Sequence, residues 1–201
     1  MKFQRNNCLL YAITMPHRPG MRPLEEQVRE ALDAGITMLQ LREKYLSEED
    51  FLREALSIRK LTERYHVPLI INDSLYVTIN SGADGIHIGQ SDLPAREVRA
   101  KLGPDKILGV TAKTVAQALE AEKAGADYLG SGAVFPSPTK TDAIPMSRET
   151  LTAICQSVSI PVVAIGGINA SNLSTLAGTG IAGAAIISGI FGQPDIGAAV
   201  R

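Results

Sequence analysis

The stretch Lys123-Ala-Gly-Ala-Asp-Tyr128 joins the end of one predicted helix to the start of the next strand, and close variants of it recur. They are DAGIT at 33–37, SGADG at 81–85 and GTGIAG at 178–183. Each places a glycine just past a helix, where a left-handed residue is needed, and then begins an apolar run. The recurrence indicates that one helix–strand unit is copied along the chain.

Eight apolar or β-branched runs follow this repeat, and amphipathic segments separate them. The runs span 9–14, 37–42, 68–73, 85–90, 107–112, 128–135, 161–167 and 183–190. Several are apolar throughout, as strands buried on both faces should be. Strands that alternate with helices predict a parallel sheet with right-handed crossovers, and eight such strands close as a barrel.

The predicted fold is therefore an α/β (β/α)8 TIM barrel, formed as a single catalytic domain over residues 1–201. An open doubly wound sheet is the structural alternative, and it would predict a glycine-rich dinucleotide loop after the first strand. The sequence there is MPHRPGMR, without G-x-G-x-x-G spacing. Only GQPDIGAAVR follows Phe191, so we expect a short final helix.

Composition argues against several partners. The 201 residues include 20 Lys and Arg against 21 Asp and Glu, with no Trp, which disfavours binding to nucleic acid or an anionic membrane. The N-terminal apolar run is too short to span a bilayer and has no cleavage site. Cys8 and Cys155 lack CxxC spacing and fit buried reduced thiols, so a cytoplasmic location is predicted.

Polar residues collect where the predicted strands end, and an active site on this fold forms at those ends. Arg42, Lys44 and Lys140 are cations matched to a polyanion. Asp73 and Asp92 could pair with these bases or hold Mg²⁺, which takes one or two carboxylates together with phosphate oxygens and water. A magnesium-bound diphosphate would use both sets of charges at once.

A second anion site is predicted in the loops after the seventh and eighth strands, because such loops often bind phosphate through backbone N–H groups. Gly166 and Gly167 permit close backbone approach, and Asn169 or Ser171 could cap a following helix. The eighth strand is expected to carry Ser188. Two phosphate sites at one barrel mouth predict an enzyme that joins two phosphorylated fragments and releases diphosphate.

These residues lie in motifs that resemble the thiamine-phosphate synthase family, also called thiamine-phosphate pyrophosphorylase. The motifs, in family order, are QLREK at 40–44, IND at 71–73, HIGQSDLP at 87–94, GVTAKT at 109–114, FPSPTK at 135–140 and VAIGGIN at 163–169. The resemblance implies a magnesium-dependent transferase of thiamine biosynthesis. Such an enzyme joins hydroxymethylpyrimidine diphosphate to hydroxyethylthiazole phosphate by a dissociative displacement.

The resemblance also implies roles for individual residues. The implied pyrimidine diphosphate site comprises Gln40, Leu41, Arg42, Glu43, Lys44, Asn72, Thr111 and Lys140. The implied thiazole phosphate site comprises Ser137, Pro138, Thr139, Gly167, Ile187 and Ser188. Asp73 and Asp92 are the implied magnesium ligands, while Arg42, Lys44 and Lys140 are the implied catalytic cations.

The chain departs mildly from the family pattern. Thr111 and Ser137 stand where Ser and Thr are common, and each keeps a hydroxyl. Lys113 replaces a frequent His, and Ser74 replaces a frequent Arg. His87 is interpreted as a structural residue, with support of Asp92 as the alternative.

Two other functions stay open at this point. A thiazole tautomerase on the same barrel would need no diphosphate or metal site. A non-catalytic binder of thiazole phosphate would bind without turnover. The expected partners are small-molecule substrates, and the sequence is compatible with a homo-oligomer.

Overall fold

The predicted closed barrel is confirmed by a computed structural model, which describes residues 3–16, 20–136 and 145–201. All neighbouring strands are parallel, and the last strand pairs with the first. The strands are β1 (Leu10–Ile13), β2 (Met38–Leu41), β3 (Leu69–Asn72), β4 (Gly85–Ile88), β5 (Ile107–Thr111), β6 (Tyr128–Gly132), β7 (Val162–Ile165) and β8 (Gly183–Ile186).

Helices pack around the outside of the barrel. They are α1 (Leu24–Ala34), α2 (Glu48–Tyr65), α3 (Leu75–Ser81), α4 (Ala95–Leu102), α5 (Val115–Lys123), α6 (Arg148–Ser157), α7 (Ser188–Phe191) and α8 (Ile196–Val200), with 3₁₀ turns at Arg5–Cys8 and Leu173–Leu176. The expected short final helix is confirmed as α8. Within the described ranges, no helix is long and apolar enough to cross a membrane.

The segments that follow β7 and β8 differ from the sequence prediction. Strand β8 ends at Ile186, and Ile187 leaves the sheet with φ −101° and ψ −89°. Ser188 therefore begins α7, and its expected place in the strand was wrong. The segment after β7 forms a 3₁₀ turn whose N-cap residue is Asn172 and which has no side-chain cap, so the expected capping by Asn169 or Ser171 was wrong. Oδ1 of Asn169 instead accepts a hydrogen bond from the backbone N–H of Ser171 at 2.9 Å.

Alternate residues of each strand face the barrel interior, and this alternation determines which side chains can reach the site. Tyr11 and Tyr128 lie in the interior cluster with Met38, whereas Leu39 and Leu129 pack outward beneath the helices. A Cβ atom added at Gly109 would lie 2.2 Å from Cζ of Tyr128. Glycine on β5 therefore provides the space in which the large Tyr128 ring lies.

Candidate active site

A cavity of about 330 Å³ opens at the carboxyl ends of the strands. Most of the polar residues predicted from the sequence line it. They are Gln40, Arg42, Lys44, Asn72, Asp73, Asp92 and Thr111, with Ile187 on the opposite wall. The inward parity of β2, β3 and β5 explains this convergence, because Gln40, Asn72 and Thr111 occupy inward positions near the ends of these strands.

Two carboxylates line this cavity together with three cations, Arg42, Lys44 and Lys113. Nζ of Lys44 lies 2.6 Å from Oδ2 of Asp73. Oδ2 of Asp92 accepts a hydrogen bond from the backbone N–H of Gly89 at 2.6 Å. Burial raises the pKa of Asp92 above its ordinary value; the Gly89 N–H opposes this, whereas the charge of Asp73 adds to it. Two acids that repel each other in this way are suited to share a cation.

The backbone at Asp73 helps to bring the carboxylates together. Asp73 adopts φ +63°, a left-handed conformation that is uncommon for residues other than glycine. Its N–H donates to the backbone oxygen of His87 at 2.9 Å, which fixes the end of β3 against β4. Strained backbone of this kind is concentrated at functional sites.

A line of hydrogen-bonded side chains, which we call the interior network, crosses the barrel interior, and all of its members except Tyr128 also line the cavity. Nε2 of Gln40 donates to the hydroxyl of Tyr11 at 2.6 Å, and the Tyr11 and Tyr128 hydroxyls lie 2.8 Å apart. Nδ1 of His87 lies 3.0 Å from the Tyr128 hydroxyl, and its Nε2 lies 3.0 Å from Oγ1 of Thr111. The network thus connects β2 to β5 through the barrel interior.

The members of the interior network are neutral at physiological pH. Burial lowers the pKa of His87 to about 4, although the negative charge of Asp73 opposes this shift. Burial also raises the pKa of Tyr11 and that of Tyr128 well above the ordinary tyrosine value. His87 therefore has one N–H and one lone pair, and each tyrosine keeps its proton.

A sequence model of one family, described as thiamine monophosphate synthase, matches residues 10–190. The chain belongs to the thiamine monophosphate synthase family. The resemblance drawn from QLREK, IND and the later motifs is thereby confirmed, and with it an enzyme family of thiamine biosynthesis, whose named members are transferases.

Relatives in this family match almost the full length of the chain. A thiamine-phosphate synthase of Ruminiclostridium cellulolyticum is 52% identical over 187 residues, which cover 93% of this chain and 89% of the relative. Thiamine-phosphate synthase 2 of Streptococcus pneumoniae serotype 4 is 48% identical, with 96% and 91% covered. The solved thiamine phosphate pyrophosphorylase of Pyrococcus furiosus has a TM-score of 0.88 at 39% identity, with 98% and 93% covered.

Some site residues predicted from the family resemblance do not line the cavity. Leu41 is fully buried in the core between sheet and helices, and Glu43 is buried at 7% exposure. Gly167 and Ser188 lie beside the lining residues Gly166 and Ile187. The predicted segment 137–140, which contains Ser137, Pro138, Thr139 and Lys140, lies outside the described residues. The roles of all these residues stay predictions.

Sequence reasoning missed three contributors to the site. From the sequence, Tyr11 and Tyr128 are ordinary core residues of apolar strands, and His87 was interpreted as structural or as support for Asp92. The hydrogen bonds of the His87 ring instead join Tyr128 and Thr111. The alternation of residues along β4 could have predicted that His87 faces the barrel interior, because its neighbours Ile86 and Ile88 face outward.

A second pair of acids lies outside the cavity lining: Glu43 follows β2, and Glu54 lies on helix α2. Burial raises the pKa of Glu54 to about 7, and the nearby charge of Glu43 adds to this shift. Oε2 of Glu54 is buried without a hydrogen-bond partner in the described part of the chain. An ionised Glu54 carboxylate therefore opposes folding.

The pair Glu43 and Glu54 leads to a prediction of how the free energy of unfolding depends on pH. Because the folded pKa lies above the ordinary value, the wild type should lose stability as pH rises from about 4.5 to about 7. We expect Glu54→Gln to gain roughly 1 kcal/mol at pH 8, after discounting for solvent, and almost nothing at pH 5. Urea unfolding at both pH values measures this difference. The same gain from Glu49→Gln, at an exposed position of α2, would contradict the assignment.

Proposed function

We propose that this chain joins hydroxymethylpyrimidine diphosphate to hydroxyethylthiazole phosphate, giving thiamine phosphate and diphosphate. The observation that carries the proposal is the meeting of Arg42, Lys44, Asp73 and Asp92 in one cavity. Cations that bind a polyanion and carboxylates that hold its counterion are the two halves of a diphosphate site.

Asp73 and Asp92 would hold Mg²⁺ in this reaction. The fit rests on their mutual repulsion, which a divalent cation would relieve. In the described ranges no group of three or more His, Cys, Asp or Glu side chains could hold a metal, so substrate oxygens and water would complete the coordination. Held by Asp73 and Asp92, the metal would supply positive charge to neutralise the leaving diphosphate.

The side chains around these carboxylates would bind and orient the pyrimidine diphosphate. Arg42 and Lys44, with Lys140, would hold the diphosphate and stabilise the charge that develops as it leaves. Gln40 and Asn72 would orient the pyrimidine, since both line the same wall. Leu41 and Glu43 would contribute through the backbone of the same segment.

The reaction would be dissociative: diphosphate leaves first, and the thiazole nitrogen captures the resulting pyrimidine cation. The His87–Thr111 hydrogen bond does not suit a covalent route, because an imidazole with a pKa of about 4 is too weak a base to activate a hydroxyl. The protein would act through orientation and charge.

The thiazole phosphate would lie on the other side of the cavity, against Gly167, Ile187 and Ser188, with Ser137, Pro138 and Thr139. Gly166 and Gly167 adopt φ +101° and +65°, and the loop after β6 packs against them so closely that a Cβ at Gly167 would lie 2.4 Å from the backbone oxygen of Pro136. The glycine pair thus keeps the β6 and β7 loops in contact, which supports one binding wall built from both.

We further propose that residues 1–201 form one catalytic domain that works in the cytoplasm on small-molecule substrates. The charge balance of 20 basic against 21 acidic residues supports the absence of a nucleic-acid or membrane partner. Assembly into a homo-oligomer is compatible with this function.

A single assay separates this function from the tautomerase and from a non-catalytic binder. Purified protein is mixed with both phosphorylated substrates, with and without Mg²⁺, and diphosphate and thiamine phosphate are measured. We expect both products in equal amounts and only when Mg²⁺ is present. Binding without product, or product formation that chelation leaves unchanged, would overturn the proposal.

A further inference from the structure

The interior network has only two ordered arrangements. Each tyrosine hydroxyl carries one proton and a neutral imidazole carries one N–H, so all donors along the line must point the same way. In the first arrangement Gln40 donates to Tyr11, and the order continues through Tyr128 and His87 to Thr111, whose hydroxyl proton remains free. In the second, Thr111 donates to His87, and the order ends with Tyr11 donating to Oε1 of Gln40.

An anion at Thr111 selects the first arrangement. Thr111 lines the same cavity as Arg42 and Lys44, and a phosphate oxygen accepts hydrogen bonds but donates none. A Thr111 hydroxyl that donates to phosphate must itself accept from Nε2–H of His87. The order then runs back to Gln40, whose Nε2 bonds Tyr11 and whose Oε1 is left for the ligand.

We propose that the interior network couples an anion at Thr111 to the direction of the Gln40 amide, so that Oε1 of Gln40 faces the ligand as an acceptor and selects a pyrimidine with a donor such as an amino group. The inference rests on the proposed function for its ligand. An amino N–H pairs with Oε1 of Gln40. An oxo group in place of the amine would put its oxygen, a hydrogen-bond acceptor, opposite the acceptor Oε1 of Gln40, which is costly in a buried site.

Tyr128 is the link that tests this coupling. It lies in the middle of the interior network, it is fully buried, and it is not part of the cavity lining. Tyr128→Phe removes one hydroxyl and no atom that the ligand would contact. The two halves of the network can then order independently, so an anion at Thr111 no longer sets the amide of Gln40.

The experiment measures the binding of two ligands by calorimetry, with Mg²⁺ and without the thiazole substrate. The ligands are the aminopyrimidine diphosphate and its analogue with an oxo group in place of the amine. We expect the wild type to bind the amino ligand about 100-fold more tightly, and Tyr128→Phe to reduce that preference about tenfold. The matched control is Tyr65→Phe, whose lost hydroxyl bonds Asp33 at 2.6 Å on the outer surface and should leave the preference unchanged.

Several outcomes would overturn the inference. They are an unchanged preference in Tyr128→Phe, an equal loss of affinity for both ligands, or a wild type that prefers the oxo ligand. If Tyr128→Phe does not fold, as judged by circular dichroism, Tyr11→Phe cuts the same line one bond nearer Gln40 and should reduce the preference similarly.

Failure of this inference and failure of the proposed function are distinguishable. The binding measurement needs no turnover, whereas the proposed function is tested by product formation. An enzyme that forms thiamine phosphate but whose preference survives Tyr128→Phe contradicts only the coupling. A protein that shows the coupled preference but forms no product contradicts only the synthase function.

Discussion

Asp92→Asn should lower kcat/KM for thiamine phosphate formation by about 10³-fold or more, at saturating Mg²⁺, without loss of stability. The substitution removes one of two carboxylates proposed to hold the metal, and so weakens neutralisation of the leaving diphosphate. The asparagine oxygen can still accept the backbone N–H of Gly89, which keeps the loop after β4 in place. Steady-state kinetics over a magnesium titration measure the effect.

The stability of this variant separates a metal ligand from a structural acid. Because burial and Asp73 raise the folded pKa of Asp92, its carboxylate costs stability as pH rises through that pKa, and the neutral amide removes this cost. Thermal unfolding of metal-free Asp92→Asn at pH 7 should therefore occur no lower than in the wild type. Asp105→Asn, at an exposed loop position, serves as the control for both measurements. Near-normal activity of Asp92→Asn at limiting magnesium would contradict the metal assignment.

The fold was predictable because the repeated joints mark each helix-to-strand transition. Gly35, Gly82 and Gly125 all adopt positive φ, at +104°, +70° and +92°, as a left-handed residue after a helix requires. Strand ends were less predictable. The apolar run at 183–190 continues past the sheet, and nothing in its composition distinguishes Ile186, the last residue of β8, from Ile187, which leads into α7.

The charged part of the site was predictable for a different reason. Acids and bases are costly inside a barrel, so their presence at strand ends already indicates the mouth. The interior network was not predictable in this way, because Tyr11 and Tyr128 occur in strands that are apolar on both faces. Only the closed register, which pairs Gly109 with Tyr128 and Asn72 with His87, brings these side chains into one line.

The ion pair between Lys44 and Asp73 leads to the second large effect. Lys44→Met should lower kcat/KM by about 10²- to 10³-fold, because the variant loses a charge-assisted contact to the leaving diphosphate. Nζ of Lys44 also lies 2.6 Å from Oδ2 of Asp73, so the lysine competes with a cation for the same carboxylate. The magnesium concentration needed for half-maximal activity should therefore stay the same or fall.

The direction in which the magnesium requirement changes distinguishes the role of Lys44 from a general disturbance of the site. Misplaced carboxylates would raise the magnesium requirement as activity falls, whereas loss of a diphosphate contact lowers activity alone. Initial rates over a matrix of magnesium and pyrimidine diphosphate concentrations separate the two cases. Lys60→Met, at an exposed position of α2, should match the wild type in both quantities. A marked rise in the magnesium requirement of Lys44→Met would show that the lysine positions Asp73 rather than binding the leaving group.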